Sequence, residues 1–351
     1  MNRKRTLGLA AGLVIWAGFA APATESSLDW PQIQKAATNA ASLFLNAAQR
    51  FEAVRTFVAL VRIKGPSGQE QAVRDAVRRR LAQAKLSPVP GLEEDAKAPA
   101  NLVMELPAAG PLASRPAILL NAHLDTISVS SPEFLAFDAA QGDFFHQHEE
   151  TSPSNSSFGG DDRAAVAVIV EAVTFLQTHY WQKGVAHRRL LVVLTAEEER
   201  GCVGAKYLAG RRPQLFDAVE VALAMDGPLD FKSDYPQKSF VAVVSTTDAG
   251  AAPYQRVIEL LSQLCRRKAL EFGQTETGLG AGDFARFPQQ VHAGLHLRSP
   301  VRGFHSRERV KVQDLINHID LMCFLLLGWD GDPPEKSRPE APGRSRVDGL
   351  R

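Results

Sequence analysis

The sequence predicts an α/β domain with a largely parallel central sheet and helices on both faces. Three observations carry that expectation. Short apolar runs alternate along the chain with longer segments of helical period, the pattern of strand–helix–strand units. Several of the apolar runs end in histidine or carboxylate residues rather than in plain turn residues. Hydrophobic content of 45% and charged content of 23% are ordinary for a globular chain able to bury a sizeable core.

The elements follow in chain order. "NRKR" (2–5), an apolar run "TLGLAAGLVIWAGFA" (6–20) and a small polar stretch (21–27) form the order of a secretory leader. The run is short for a stable membrane span. Ala-Pro-Ala at 21–23 favours cleavage after Ala23, with Ala20 the other candidate, so residues 1–23 are read as a signal peptide and the mature chain as exported, periplasmic or secreted. Losing Arg3, Lys4 and Arg5 leaves 37 basic against 39 acidic residues, a net −2 in place of +1. Bulk charge therefore gives nucleic acid no foothold, and "RRR" at 78–80 falls on a solvated helix face.

Residues 31–63 read as one helix, broken by Gly65 and Pro66, and Ser67-x-x-Glu70 reads as a capping box opening the next. Strands are expected at 101–107, 116–125, 188–199, 219–227, 238–247 and 291–299. Helices are expected at 161–179, 252–270 and 312–328. The tail 331–351 is rich in Pro and charge and is expected to be disordered. Cys202, Cys265 and Cys323 fit no zinc–cysteine spacing and are read as buried thiols. The catalytic domain is thus placed at 28–330.

The strand ends carry the chemistry. "NAHLD" brings His123 and Asp125 onto one strand face. Alone, that is a polar pair where a strand meets a turn. But "LLVVLTAEEE" ends in Glu197, Glu198 and Glu199, "VALAMD" ends in Asp226, and the turn after "LHLRSPVRGF" delivers His305. Helix 161–179 opens with Asp161 and Asp162 behind Gly159 and Gly160. Ligands bind at the carboxyl ends of parallel strands, so these distant residues can converge. Two imidazoles and several carboxylates suit zinc or a similar divalent ion.

In order, "NAHLDT", "GGDDRAAVA", "TAEEERG" with a following "GA", "AMDG" and "GFHSRERV" resemble the dizinc exopeptidases, the superfamily of peptidase T, glutamate carboxypeptidases and single-domain leucine aminopeptidases. The likeness spans roughly residues 50–325 and includes "PSGQE" near its start. It implies a zinc-exopeptidase fold, two divalent metal ions, zinc in the relatives, and hydrolysis of short peptides. By matching motifs, His123 and Asp226 would hold one metal, Glu199 and His305 the other, and Asp161 would bridge them, often with a cis peptide after it. Asp125 would orient the His123 ring. Gly201 sets the register of "TAEEERG", making Glu198 the general base.

Relatives of the peptidase T kind insert a lid domain between the positions of Asp226 and His305. Here that interval is 79 residues, while a separate domain needs on the order of a hundred. A lidless single domain is expected. An aminopeptidase is the leading reading. A carboxypeptidase or N-acyl amino acid amidohydrolase, acting on an acylated amino acid, is the alternative on the same metals. A non-catalytic peptide-binding protein and a glutaminyl cyclase-like transferase are the readings from other classes.

Without a lid, the loops 142–157 and 278–287 must recognise the peptide end. Asp283, flanked by glycine in "GLGAGDFARF", is the candidate for holding a free α-amine, against the alternative that it caps a turn. "HQHEE" (146–150) resembles a metal cluster but, beside "TSPSNSS", is read as a surface loop or substrate rim rather than a third metal site. Asp162 and Arg163 are assigned to the helix start, and Cys202 to packing. The sequence has neither G-x-S-x-G nor H-E-x-x-H, which argues against a serine hydrolase and a classical zincin.

Overall fold

The computed structural model describes residues 28–90, 98–152, 154, 156–230, 238–245, 252–277, 282–287, 291, 293–303 and 305–331. The expected leader, the tail beyond 331 and residues 278–281 of the glycine-rich loop lie outside the described residues.

The expected strands are present as β2 (Leu102–Leu106), β3 (Ala117–His123), β6 (Leu190–Thr195), β7 (Val219–Met225), β8 (Phe240–Ser245) and β10 (Ala293–Leu297), joined by β1 (Ser87–Pro88) and β9 (Phe272–Thr277). They make one eight-stranded sheet in the order β1-β2-β6-β3-β7-β10-β8-β9. The centre, β6-β3-β7-β10, is parallel throughout. Antiparallel pairing enters outside it, at β1–β2, β2–β6 and β10–β8, and β8–β9 is parallel again. β3 and β6 are buried at every residue, which is why they read as unbroken apolar runs.

Helices cover both faces, unevenly. Ile118, Leu120, Val192 and Leu194 point into a core shared with α1 (Trp30–Asn39), α2 (Ala47–Val61), α3 (Gln71–Gln83), α4 (Gly160–His179), α6 (Ala252–Lys268) and α7 (Val312–Gly328). Their alternate neighbours Leu119, Leu191 and Val193 face a smaller core. Among the described residues its only helix is α5 (Val203–Arg211), supported by Leu215, Phe216 and Phe287.

Two expected boundaries are corrected. The single helix over 31–63 is two. Ser42 Oγ donates to Asp320 Oδ1 at 2.6 Å and accepts from the Leu45 N–H at 2.9 Å. Asn46 and Gln49 then form a capping box that restarts the chain as α2. The capping box expected at Ser67-x-x-Glu70 does not form, and α3 opens with no side-chain cap. Both side chains are bonded elsewhere, as shown below.

A second sheet, β11-β5-β4, was not anticipated. It comprises β4 (Leu135–Asp138), β5 (Asp143–His146) and β11 (Arg309–Lys311), strands too short and polar to show a period. Phe144 anchors it, with its ring 5.4 Å from Phe57 and 5.0 Å from Phe137. The surface-loop reading of "HQHEE" holds for Gln147, His148 and Glu150, which are exposed on a turn, and is corrected at its first residue. His146 ends β5, is buried and packs 5.4 Å from the Phe134 ring, while Glu149 pairs with Arg309. Between Asp226 and His305 the described residues supply β8, α6, β9 and β10, and these strands extend the central sheet.

Candidate active site

The carboxyl ends of the central parallel strands meet at one place. His123 is the last residue of β3, Glu197–Glu199 follow β6, Asp226 follows β7, and His305 lies on the loop after β10. Asp161 joins them from the first turn of α4, where Asp161 and Asp162 depart from helical angles and are linked by a cis peptide.

His123 Nε2 lies 3.6 Å from Asp161 Oδ1 and 3.6 Å from Asp226 Oδ1. His305 Nε2 lies 3.7 Å from Asp161 Oδ2 and 2.9 Å from Glu199 Oε1. The two oxygens of Asp161 thus face two different imidazoles. Asp161 Oδ1 is buried with no hydrogen-bond partner.

The chemistry of this donor set fits cations. His123 Nδ1 faces only acceptors, the Asp125 carbonyl at 3.1 Å and Asp125 Oδ1 at 3.4 Å, so the network assigns its proton there. In the neutral ring Nε2 is then a lone pair aimed at carboxylates, an arrangement that needs a positive charge between them. Asp161, Glu199 and His305 can hold one ion among them, and His123 with Asp226 can hold another. Asp162 also comes within reach of His123 and Asp226, but its Oδ2 accepts the His123 backbone N–H at 3.3 Å. Asp161, facing both imidazoles, is the better bridge.

The acid–base balance shows the same crowding. Burial alone would depress the His123 imidazole; the carboxylates of Asp125, Asp161 and Asp226 reverse this and hold it well above its ordinary value. Burial would raise Asp226, yet its bond to His123 brings it down to about 2. Glu198 goes the other way. Burial, then Asp226, Asp283 and Glu199 against the opposing pull of His123, push it up to about 8.

Carboxylates beneath the site hold its loops. Asp125 Oδ1 accepts the Glu198 N–H at 2.9 Å and Oδ2 accepts the Glu199 N–H at 3.1 Å. Ser67 Oγ donates to Asp125 Oδ2 at 2.7 Å. Glu70 accepts the N–H groups of Gly68 (2.7 Å) and Glu197 (3.1 Å). Asp125 therefore lies against the His123 ring and also clamps the two glutamates. Glu308, fully buried, accepts Ser157 Oγ (2.9 Å) and the N–H groups of Phe158 (3.1 Å), Gly159 (3.0 Å) and Gly160 (2.8 Å), the residues leading into Asp161. Gly160 has no room for a side chain, since a Cβ there would lie 2.9 Å from the Phe158 ring. The only sequence signal for Glu308 was its place three residues after His305.

Asp162 and Arg163 lie in the first turn of α4, as expected, and both are fully buried, with Arg163 Nη2 3.4 Å from the Gly65 carbonyl. One assignment changes. Cys202 is not remote from the site, for its Sγ donates to Glu198 Oε1 at 3.4 Å. Asp283 is on a short turn (Asp283–Arg286), 4% exposed, and accepts from Thr195 Oγ1. Burial foremost, with Asp226 and Asp125 adding to it against the Thr195 bond and His123, lifts it to about 7.

No curated protein matches the chain. Solved structures do. Aminopeptidase PepT from Bacillus cereus ATCC 10987 aligns over 79% of this chain and 98% of its own, at 14% identity and a TM-score of 0.59. A tripeptidase from Staphylococcus aureus subsp. aureus mu50 aligns over 79% and 97%, at 14% identity and 0.58. Aminopeptidase APDkam598 from the archaeon Desulfurococcus kamchatkensis aligns over 79% and 95%, at 18% identity and 0.55. At these identities the likeness is one of fold. Peptidase family M28 matches residues 101–322, a span containing every metal-ligand candidate, Glu198 and the clamp residues Asp125 and Glu308. The chain belongs to peptidase family M28 and is a metallopeptidase.

Proposed function

We propose that this protein is an exported, lidless aminopeptidase that removes N-terminal residues from short peptides with two divalent ions, zinc by preference. The observation that carries the reading is Asp161, whose two oxygens face His123 Nε2 at 3.6 Å and His305 Nε2 at 3.7 Å. His123 and Asp226 would hold one ion, Glu199 and His305 the other, with Asp161 shared. When bound, the pair supplies an acidified water and a polarised scissile carbonyl.

The protein's own groups do the rest. Glu198 is placed beside both ligand sets and takes the proton of the attacking water, then returns it to the leaving amine. Asp125 keeps Glu198 and Glu199 in register through their N–H groups. Asp283 supplies the counter-charge for the free α-ammonium of the substrate, a cation that a buried cleft must pair. The leader-like residues 1–23 support export.

Side-by-side digestion of a free-amine peptide and its N-acetylated form tests the function. Release of the first residue from the free peptide alone is expected. Equal cleavage of both, or shortening from the carboxyl end, would replace the reading with a carboxypeptidase or amidohydrolase.

A further inference from the structure

Cys202 is the one sulfur drawn into this site, and the peptidase reaction gives it no task. Its Sγ, one oxygen of Glu198 and one of Asp283 all lie within 4.8 Å of one another. Sγ and Glu198 Oε1 are already 3.4 Å apart, close to the ligand separation around a tetrahedral zinc with bonds of about 2.0–2.3 Å. Asp283 adds an independent sign of a missing partner. It is 4% exposed, one oxygen accepts from Thr195, and the other, Oδ1, is buried with no hydrogen-bond partner.

We propose that Cys202, Glu198 and Asp283 form a third metal site, selective for soft divalent ions such as Zn2+ or Cd2+, whose occupation shuts the enzyme down by engaging its general base. The clause on the base rests on the proposed function; the site itself does not. The thiolate selects Zn2+ and Cd2+ over Mg2+ and Ca2+. Binding forms one metal–sulfur and two metal–oxygen bonds and releases the Cys202 thiol proton to solvent. Burial, reinforced by Asp283 and Glu198 against a bond from Arg286, pushes that thiol up to about 12, so the ion must displace a proton that the empty site holds firmly. Asp283 is also our amine anchor, so peptide substrate and the third ion compete.

Cobalt tests this directly, because none of the five residues assigned to the metal pair contains sulfur. Co2+ is added stepwise to the full-length metal-free protein while hydrolysis and the near-ultraviolet spectrum are followed. The first two equivalents should restore hydrolysis without a sulfur-to-cobalt charge-transfer band. The third should bring the band and reduce hydrolysis on the order of 10²-fold, the scale of losing a general base. C202S and C202A, each compared with its own two-equivalent activity, should show neither change, and D283N should need more cobalt to reach the band. Absence of the band at every ratio, or its persistence in both cysteine variants, overturns the site. Inhibition that survives both cysteine variants overturns the base-capture mechanism. Failure of two equivalents to restore hydrolysis counts against the proposed function, while the band still reports on the site.

Discussion

Removing the carboxylate of Glu308 separates positioning from chemistry, because this residue touches neither metal ligands nor substrate in the proposed scheme. Its Oε2 accepts the N–H groups of Phe158, Gly159 and Gly160 at 3.1, 3.0 and 2.8 Å, and Oε1 accepts Ser157 Oγ at 2.9 Å. Glu308→Ala would strand the buried N–H donors of Phe158 and Gly160, each costing about 1–3 kcal/mol, while the Gly159 N–H keeps Ser157 Oγ at 3.1 Å. The sum, about 2–6 kcal/mol, compares with a total stability of about 5–15 kcal/mol for a typical domain. Global unfolding is one outlet for that cost. The other is a shift of the 158–160 loop, which would carry Asp161 away from both imidazoles. Glu308→Gln behaves differently. Its amide oxygen can keep all three N–H groups, and its NH2 can donate to Ser157 Oγ, itself 2.8 Å from Ser130 Oγ. The loss is then one grade of hydrogen-bond strength, about 1 kcal/mol. Urea unfolding and metal content after dialysis read the two effects. Glu308→Ala should lose most of its stability or both ions, and Glu308→Gln should keep both ions and most activity. An alanine variant as stable as the parent, with two ions retained, refutes the clamp; a glutamine variant as damaged as alanine shows that charge rather than acceptor geometry matters.

Further outcomes can be checked alongside. Glu198→Gln should abolish turnover yet retain two ions, whereas loss of metal would exchange its role with that of Glu199. Asp161→Ala should release both ions, but His123→Ala and His305→Ala should each weaken one, measured by metal analysis after dialysis. Asp283→Asn should raise KM for free-amine peptides with metal content and folding unchanged; an unchanged KM removes the amine anchor. In the metal-free protein, burial foremost and then Asp161 push Glu308 up to about 7 from an ordinary 4.5. A raised acid favours the folded state while protonated, so this contribution is complete below pH 4.5 and disappears as pH rises through about 7. Urea midpoints of the metal-free parent should fall across that window more steeply than those of Glu308→Gln.

The candidate metal ligands drew notice through motifs that resemble those of the dizinc exopeptidases, and three of them sit at sharp boundaries: a buried strand ending in His123, a glycine pair before Asp161, a strand ending just before Asp226. Such boundaries leave a mark in composition. The residues beneath them do not. Glu70 and Glu308 act by accepting backbone N–H groups from segments more than a hundred residues away, and an acceptor has no period or spacing to read. The same blindness produced the false capping box. Ser67-x-x-Glu70 has the right letters, but Asp125 and the Glu197 N–H outcompete the helix start for those side chains. The sheet β11-β5-β4 escaped because strands of three or four residues show too few alternations to register. Cys202 and Asp283 were judged by their neighbours in sequence, whereas the short turn 283–286, ahead of β10, folds Asp283 back against Thr195.

The lopsided cover of the central sheet gives the site one firm bank and one soft one. Asp161 is carried by α4, which lies in the thick layer against α2 and α7. Cys202 and Phe287, with the turn that bears Asp283, belong to the thin layer, where α5 is the only described helix. Opening free energies follow the apolar packing that must be broken. Backbone amides of α5 and of the 283–286 turn should therefore exchange with solvent well before those of α4. An enzyme built this way can keep its ion-binding bank still while the opposite bank breathes to admit peptides of different shapes.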